Sequence, residues 1–94
     1  MRTAIDRLRD ADAPPPDATP ALRALWHEVH GDWHAAHALV EEPADTEECL
    51  LHAFLHRAEG DLANASYWYR RAQVPLRRDS LDAERAALAE RLLG

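Results

Sequence analysis

Ninety-four residues, 47% apolar and 30% charged, suffice for one small domain with a single modest core. The net charge of −6 argues against nucleic acid as a partner, because phosphate binding needs a cationic surface. All eleven basic residues are arginine, which removes Schiff-base chemistry, a P-loop phosphate site and a lysine general base.

In chain order, residues 1–11 read as a short amphipathic helix with Ile5 and Leu8 on one side, ended by Pro14-Pro15-Pro16. Thr19-Pro20 signals the next start, a capping residue followed by proline at the first helical position. That helix is expected over Pro20–His30 and the next over Asp32–Glu41, with Pro43 after them. Asp45 with Glu48 forms a capping box for a helix over Thr46–Glu59. Another runs from Asp61 to Gln73 and stops before Pro75. Asp79 or Ser80 caps a last helix reaching Leu93, with Leu81, Leu88 and Leu92 along an apolar stripe. No segment alternates with period two, so the chain is expected to be all-α. Residues 1–19 are read as an N-terminal helix and proline-rich linker, and 20–94 as the helical domain.

The chain repeats itself with an offset of 29 residues. Leu22, Ala24, His27, Gly31, Asp32 and Ala36 fall on Leu51, Ala53, His56, Gly60, Asp61 and Ala65. Gly-Asp suits a helix-to-helix turn, since Gly accepts the left-handed closing conformation and Asp caps the amides that follow. The unit is therefore a helical hairpin, used twice.

Gly31-Asp32-Trp33 through Ala36, and Gly60-Asp61-Leu62 through Ala65, resemble the turn and second helix of a tetratricopeptide repeat. Ala24 and Ala53 match the small residue of that family's first helix, and Tyr69 and Ala72 its later positions. The stretch from His52 to Ala72 is similar to small bacterial proteins of tetratricopeptide-like fold with no assigned activity. The resemblance covers roughly residues 20–75, and the unit is shorter than the usual repeat of about 34 residues. It implies two hairpins and a C-terminal capping helix, with His27 and His56 against the second helix of their own hairpins.

On the helix over 46–59, Leu50, Leu51, Phe54, Leu55 and Ala58 form an apolar face. Cys49, His52 and His56 form a ridge on the other side, at spacings of three and four. Cys-x-x-His-x-x-x-His is an acceptable ligand spacing for zinc or another divalent metal, with His27 as a fourth donor. The competing reading is that each histidine is a core residue hydrogen-bonded to a tyrosine, carbonyl or carboxylate, and this is the expectation. His27, His30, His34 and His37 look like a metal-binding run, but Gly31-Asp32 breaks it. His30 and His34 are expected in solvent, and His37 lies beside the small Ala36.

Nucleophilic chemistry has thin support. Ser66 and Ser80 are the only serines, and Ser80 reads as a cap. Cys49 beside His52 resembles a thiolate pair, yet within a helix next to Leu50 and Leu51 it reads as a buried hydrophobe. Acid-base work by Glu59 or Asp61 with His56 stays open. Tyr67-Trp68-Tyr69 cannot all point one way, so Trp68 and Tyr69 are assigned to the core and Tyr67 to its rim. Tyr67, Trp68, Arg70 and Arg71 are the candidate interaction residues, an aromatic-arginine pairing common in hot spots. Arg77 and Arg78 extend that cationic strip.

The leading expectation is a non-catalytic helical interaction module that binds a protein or peptide, or a second copy of itself as a homodimer. A single cysteine, no secretion-type apolar core at residues 1–12 and no membrane-length apolar run make the cytoplasm the expected location. The alternative is a small-ligand or metal-binding protein, conceivably an enzyme, built on His27, Cys49, His52 and His56. Apart from that metal, no cofactor is expected.

Overall fold

Every helix begins where the sequence offers an oxygen to its first amides. A computed structural model describes residues 1–93, and among them all regular structure is helical, with no strand. Helix α1 spans Ala4–Asp10, α2 Pro20–Val29, α3 Trp33–Val40, α4 Thr46–Ala58, α5 Leu62–Arg71 and α6 Leu81–Leu93. Thr3 and Asp6 form a reciprocal capping box on α1, while Thr19, Asp32, Asp45 and Asp61 cap α2 to α5. At α6 the cap is Ser80, whose Oγ accepts from the Ala83 amide at 3.0 Å. Asp79 instead pairs with Arg77 and Arg57.

Both Gly-Asp turns close in the same way. Gly31 and Gly60 have φ of +82° and +85°, where a side chain on Cβ strains the backbone. The Asp32 and Asp61 amides then reach back to the carbonyls of His27 and His56, at 2.9 Å each. Helix α2 thereby packs on α3, and α4 on α5. Gln73 performs the same turn after α5 with φ of +62°, so its Val74 amide meets the Tyr69 carbonyl at 3.1 Å.

Helix α4 is the axis of the molecule. Every residue from Glu48 to His56 is buried, because α2, α3, α5 and α6 all pack against this one helix. Leu51, Phe54 and Leu55 are fully enclosed with Leu25 and Val40. Burying a side chain of that size stabilises a fold by roughly 1.5–3 kcal/mol. Helix α1 belongs to the same core through Ala4 and Leu8, packed on α2 and α6. The linker is tied down too, since Trp26 Nε1 donates to the Ala11 carbonyl and Arg23 reaches the Ala18 carbonyl, both at 3.1 Å.

Ion pairs fasten α6, and beside the exposed Arg91–Glu47 pair two are largely shielded from solvent. Arg85 grips Glu28 of α2 through two nitrogens at 2.8 Å each, and its guanidinium lies over the Phe54 ring. Glu84, 1% exposed, accepts from Arg57 at 2.8 Å and from the Tyr69 hydroxyl at 2.7 Å. Burial and the neighbouring carboxylate push the Tyr69 hydroxyl up, which keeps it a donor. No helix is long and apolar enough to cross a membrane.

Candidate metal centre

The inward stripe of α3 is Trp33, Ala36, His37 and Val40, at spacings of three and four. It lies against the polar ridge of α4, and the Trp33 indole fixes the contact by donating to the Leu55 carbonyl at 2.7 Å. Three histidines meet there. His37 Nε2 stands 3.2 Å from His52 Nε2, and His52 Nε2 stands 3.0 Å from His56 Nε2. All three potential ligand atoms lie within 4.8 Å of one another.

The other face of each ring settles its proton. His52 Nδ1 is 2.8 Å from the Val40 carbonyl, which only accepts, so Nδ1 carries the hydrogen. His56 Nδ1 is 2.9 Å from the Glu59 carboxylate and carries its hydrogen for the same reason. In the neutral rings Nε2 of both residues is then a bare lone pair, and these two lone pairs face each other at 3.0 Å. His37 is the sole ring whose tautomer is free, and its one Nε2 hydrogen can serve only one contact. A positive centre between the facing nitrogens, a proton or a metal ion, would relieve this contact. A metal satisfies three converging lone pairs at once, whereas a proton bridges only two.

Two of the three nitrogen separations, 3.2 and 3.0 Å, suit such a centre, and the third lies within 4.8 Å. Ligation at about 2.0–2.1 Å in a tetrahedron places neighbouring nitrogens roughly 3.3 Å apart. The bonds from Nδ1 to a backbone carbonyl and to a carboxylate are those that orient metal-ligating imidazoles. Aromatic stacking holds the rings as well. His37 lies flat on Trp33 at 4.8 Å between centroids, and His52 on Trp68 of α5 at 4.1 Å. Burial pushes the His52 imidazole down to about 4, with His37 and His56 adding to the effect and the Val40 bond opposing it. His52 is thus a neutral ligand-ready base at pH 7.

Of the four candidate ligands His27, Cys49, His52 and His56, two are here. His52 and His56 converge, 4% and 7% exposed. His27 does not join them; it is half-buried on α2 with its ring edge against Trp26. Cys49 points to no cluster of ligands, and burial pushes its thiol up, away from thiolate chemistry. The third histidine of the cluster is His37, which the sequence places beside the Ala36 contact. Its signal was the α3 stripe itself, where Trp33 and Val40 bracket it on the inward face. His34 is exposed and His30 bonds the Leu8 carbonyl at 3.0 Å.

Tyr69 is core and Tyr67 45% exposed, as expected, whereas Trp68, expected in the core, is half-buried against it. Arg71 lies over both the Tyr67 and Trp68 rings, and Arg70 faces solvent. A cavity of about 430 Å³ between α4, α5 and α6 shares no residue with the triad. Its buried polar groups, Glu84 and Tyr69, bond each other. No family model matches the chain, and neither a curated protein nor a solved structure matches it.

Proposed function

We propose that this protein binds a divalent metal of the zinc type through His37, His52 and His56. One observation carries the reading: two imidazole lone pairs face each other at 3.0 Å while their Nδ1 hydrogens are committed elsewhere. Imidazole donors suit zinc, copper, nickel and iron, and availability selects among them. The metal clips α3 to α4, so its binding adds directly to the stability of the fold. Protein purified without chelator or an affinity tag of histidines should contain near-equimolar metal by elemental analysis. Chelation should then lower its melting temperature, and the double variant His37→Ala/His52→Ala should lose both the metal and the chelator effect. Metal-free protein that takes up no zinc refutes the reading.

A second reading concerns the outer face of α5, where Leu62 and Tyr67 are 56% and 45% exposed beside Arg70 and Arg71. The tetratricopeptide resemblance and these solvent-exposed side chains support a module that docks a protein partner or a second copy of this chain. A cytoplasmic setting belongs to the same reading. Light scattering should give a dimer mass that Tyr67→Ala reduces; a monomer at high micromolar concentration removes the self-association.

A further inference from the structure

We infer that the metal held by the three histidines keeps its fourth coordination position for an exchangeable small anion from solvent. This rests on the metal reading above.

The donors set the vacancy. Among the described residues no further histidine, cysteine or carboxylate joins the three at ligand spacing. Glu59 is occupied behind His56, and the Cys49 thiol is held protonated by burial. Zinc takes four ligands, and zinc sites with three protein ligands fill the fourth from solution.

Charge selects the class of ligand. Three neutral imidazoles leave the whole +2 charge on the ion, between two indole walls that solvate it poorly. Three nearby carboxylates sit outside that shell, one of them Asp61, which lies within 4.8 Å of the ligand atoms of His56 and Glu59 and is engaged as the cap of α5. Glu59 backs His56, and Glu41 is exposed just past α3, acting on His52 through space. An anion at the fourth position is therefore favoured over a neutral donor, and hydroxide from an acidified bound water is one such anion.

Access comes from the least buried ligand. His52 and His56 are enclosed, while His37, Trp33 and Trp68 are each only half-buried. The His37 edge, beside the two indoles, is thus the least shielded side of the centre.

Cobalt(II) substitution tests this, because its visible bands report coordination geometry, with sodium azide as the anion probe. Azide should shift the bands of the cobalt-loaded full chain and saturate at an equimolar complex. Its affinity should fall about tenfold per pH unit once hydroxide competes. Glu41→Ala should leave that response within about twofold, since Glu41 lies outside the proposed shell. A tetrahedral cobalt spectrum that azide does not move overturns the inference, because a protein donor then fills the position. Azide sensitivity gained only in Glu41→Ala overturns it too and names that donor. Failure to bind cobalt at all is a different result, and it removes the metal reading with this one.

Discussion

Two buried polar clusters flank α4, and they are built on opposite principles. In the Glu84 cluster donors and acceptors match: the carboxylate accepts from Arg57 and from Tyr69, and its charge is balanced. In the histidine cluster acceptors face one another, with the hydrogens turned outward to Val40 and Glu59. A matched cluster needs nothing further and works as structure. A mismatched one, walled by two tryptophans, could be completed by an ion, as proposed above. Burial alone does not separate them; the direction of each hydrogen does.

The largest expected effect comes from breaking the matched cluster. Glu84→Ala removes the closest partner of the Arg57 guanidinium, whose side chain is 10% exposed, leaving it Asp79 alone, and it takes the acceptor from the Tyr69 hydroxyl. A loss of about 3–5 kcal/mol is expected in urea unfolding. A loss below about 1 kcal/mol would mean that solvent already serves Arg57, and the contrast between the clusters would weaken.

Acid should act on the other cluster. The His52 imidazole titrates near 4 when folded and near 6.5 when unfolded, so the unfolded chain binds more protons between these values. Stability of the metal-free protein is thus unaffected by His52 above about pH 6.5. It falls as pH drops from 6.5 towards 4, by on the order of 3 kcal/mol. His37, His56 and Glu41 face the same ring, and His52→Gln should flatten the slope. A wild-type curve flat across that window contradicts the burial of a neutral His52.

Gly60→Val calibrates both clusters from outside. Nothing lies within 4 Å of a Cβ at Gly60, so its cost is the left-handed backbone alone, about 1–2 kcal/mol. An unchanged melting temperature would place the strain elsewhere.

The smallest stability effect should belong to Glu59→Gln, at an exposed position on the mismatched cluster. Unfolding free energy should change by less than about 0.5 kcal/mol, while zinc affinity falls about 10–100-fold. Equal affinity in the two proteins would show that the Glu59 bond does not orient His56.

Much of the fold was legible because its signals are local. Thr19-Pro20, Asp45 with Glu48 and the two Gly-Asp turns each mark a helix boundary through hydrogen bonds within four residues. The expected ends ran one or two residues long, where the last turns fray into caps. The site was half legible. His52 and His56 share one face of α4, which the spacing of four states directly. Repeat symmetry suggested His27 as their companion, since it is the counterpart of His56 at an offset of 29. Packing broke that symmetry: the ridge of α4 faces α3 and α5, so its third histidine comes from α3. No local pattern carries that choice, although the stripe of Trp33, Ala36, His37 and Val40 turned His37 inward. The matched cluster was illegible, because Glu84 is separated from Arg57 by 27 residues and reads as an ordinary helix-surface acid.

The central claim is a statement about hydrogens, and imidazole nitrogen NMR reads them. In metal-free protein at neutral pH, His52 and His56 should both show a protonated Nδ1 and a bare Nε2. Added zinc should move the Nε2 signals of His37, His52 and His56 together. An Nε2 hydrogen on His52 or His56, or a fully protonated ring at that pH, would give the cluster its missing positive partner and contradict the account.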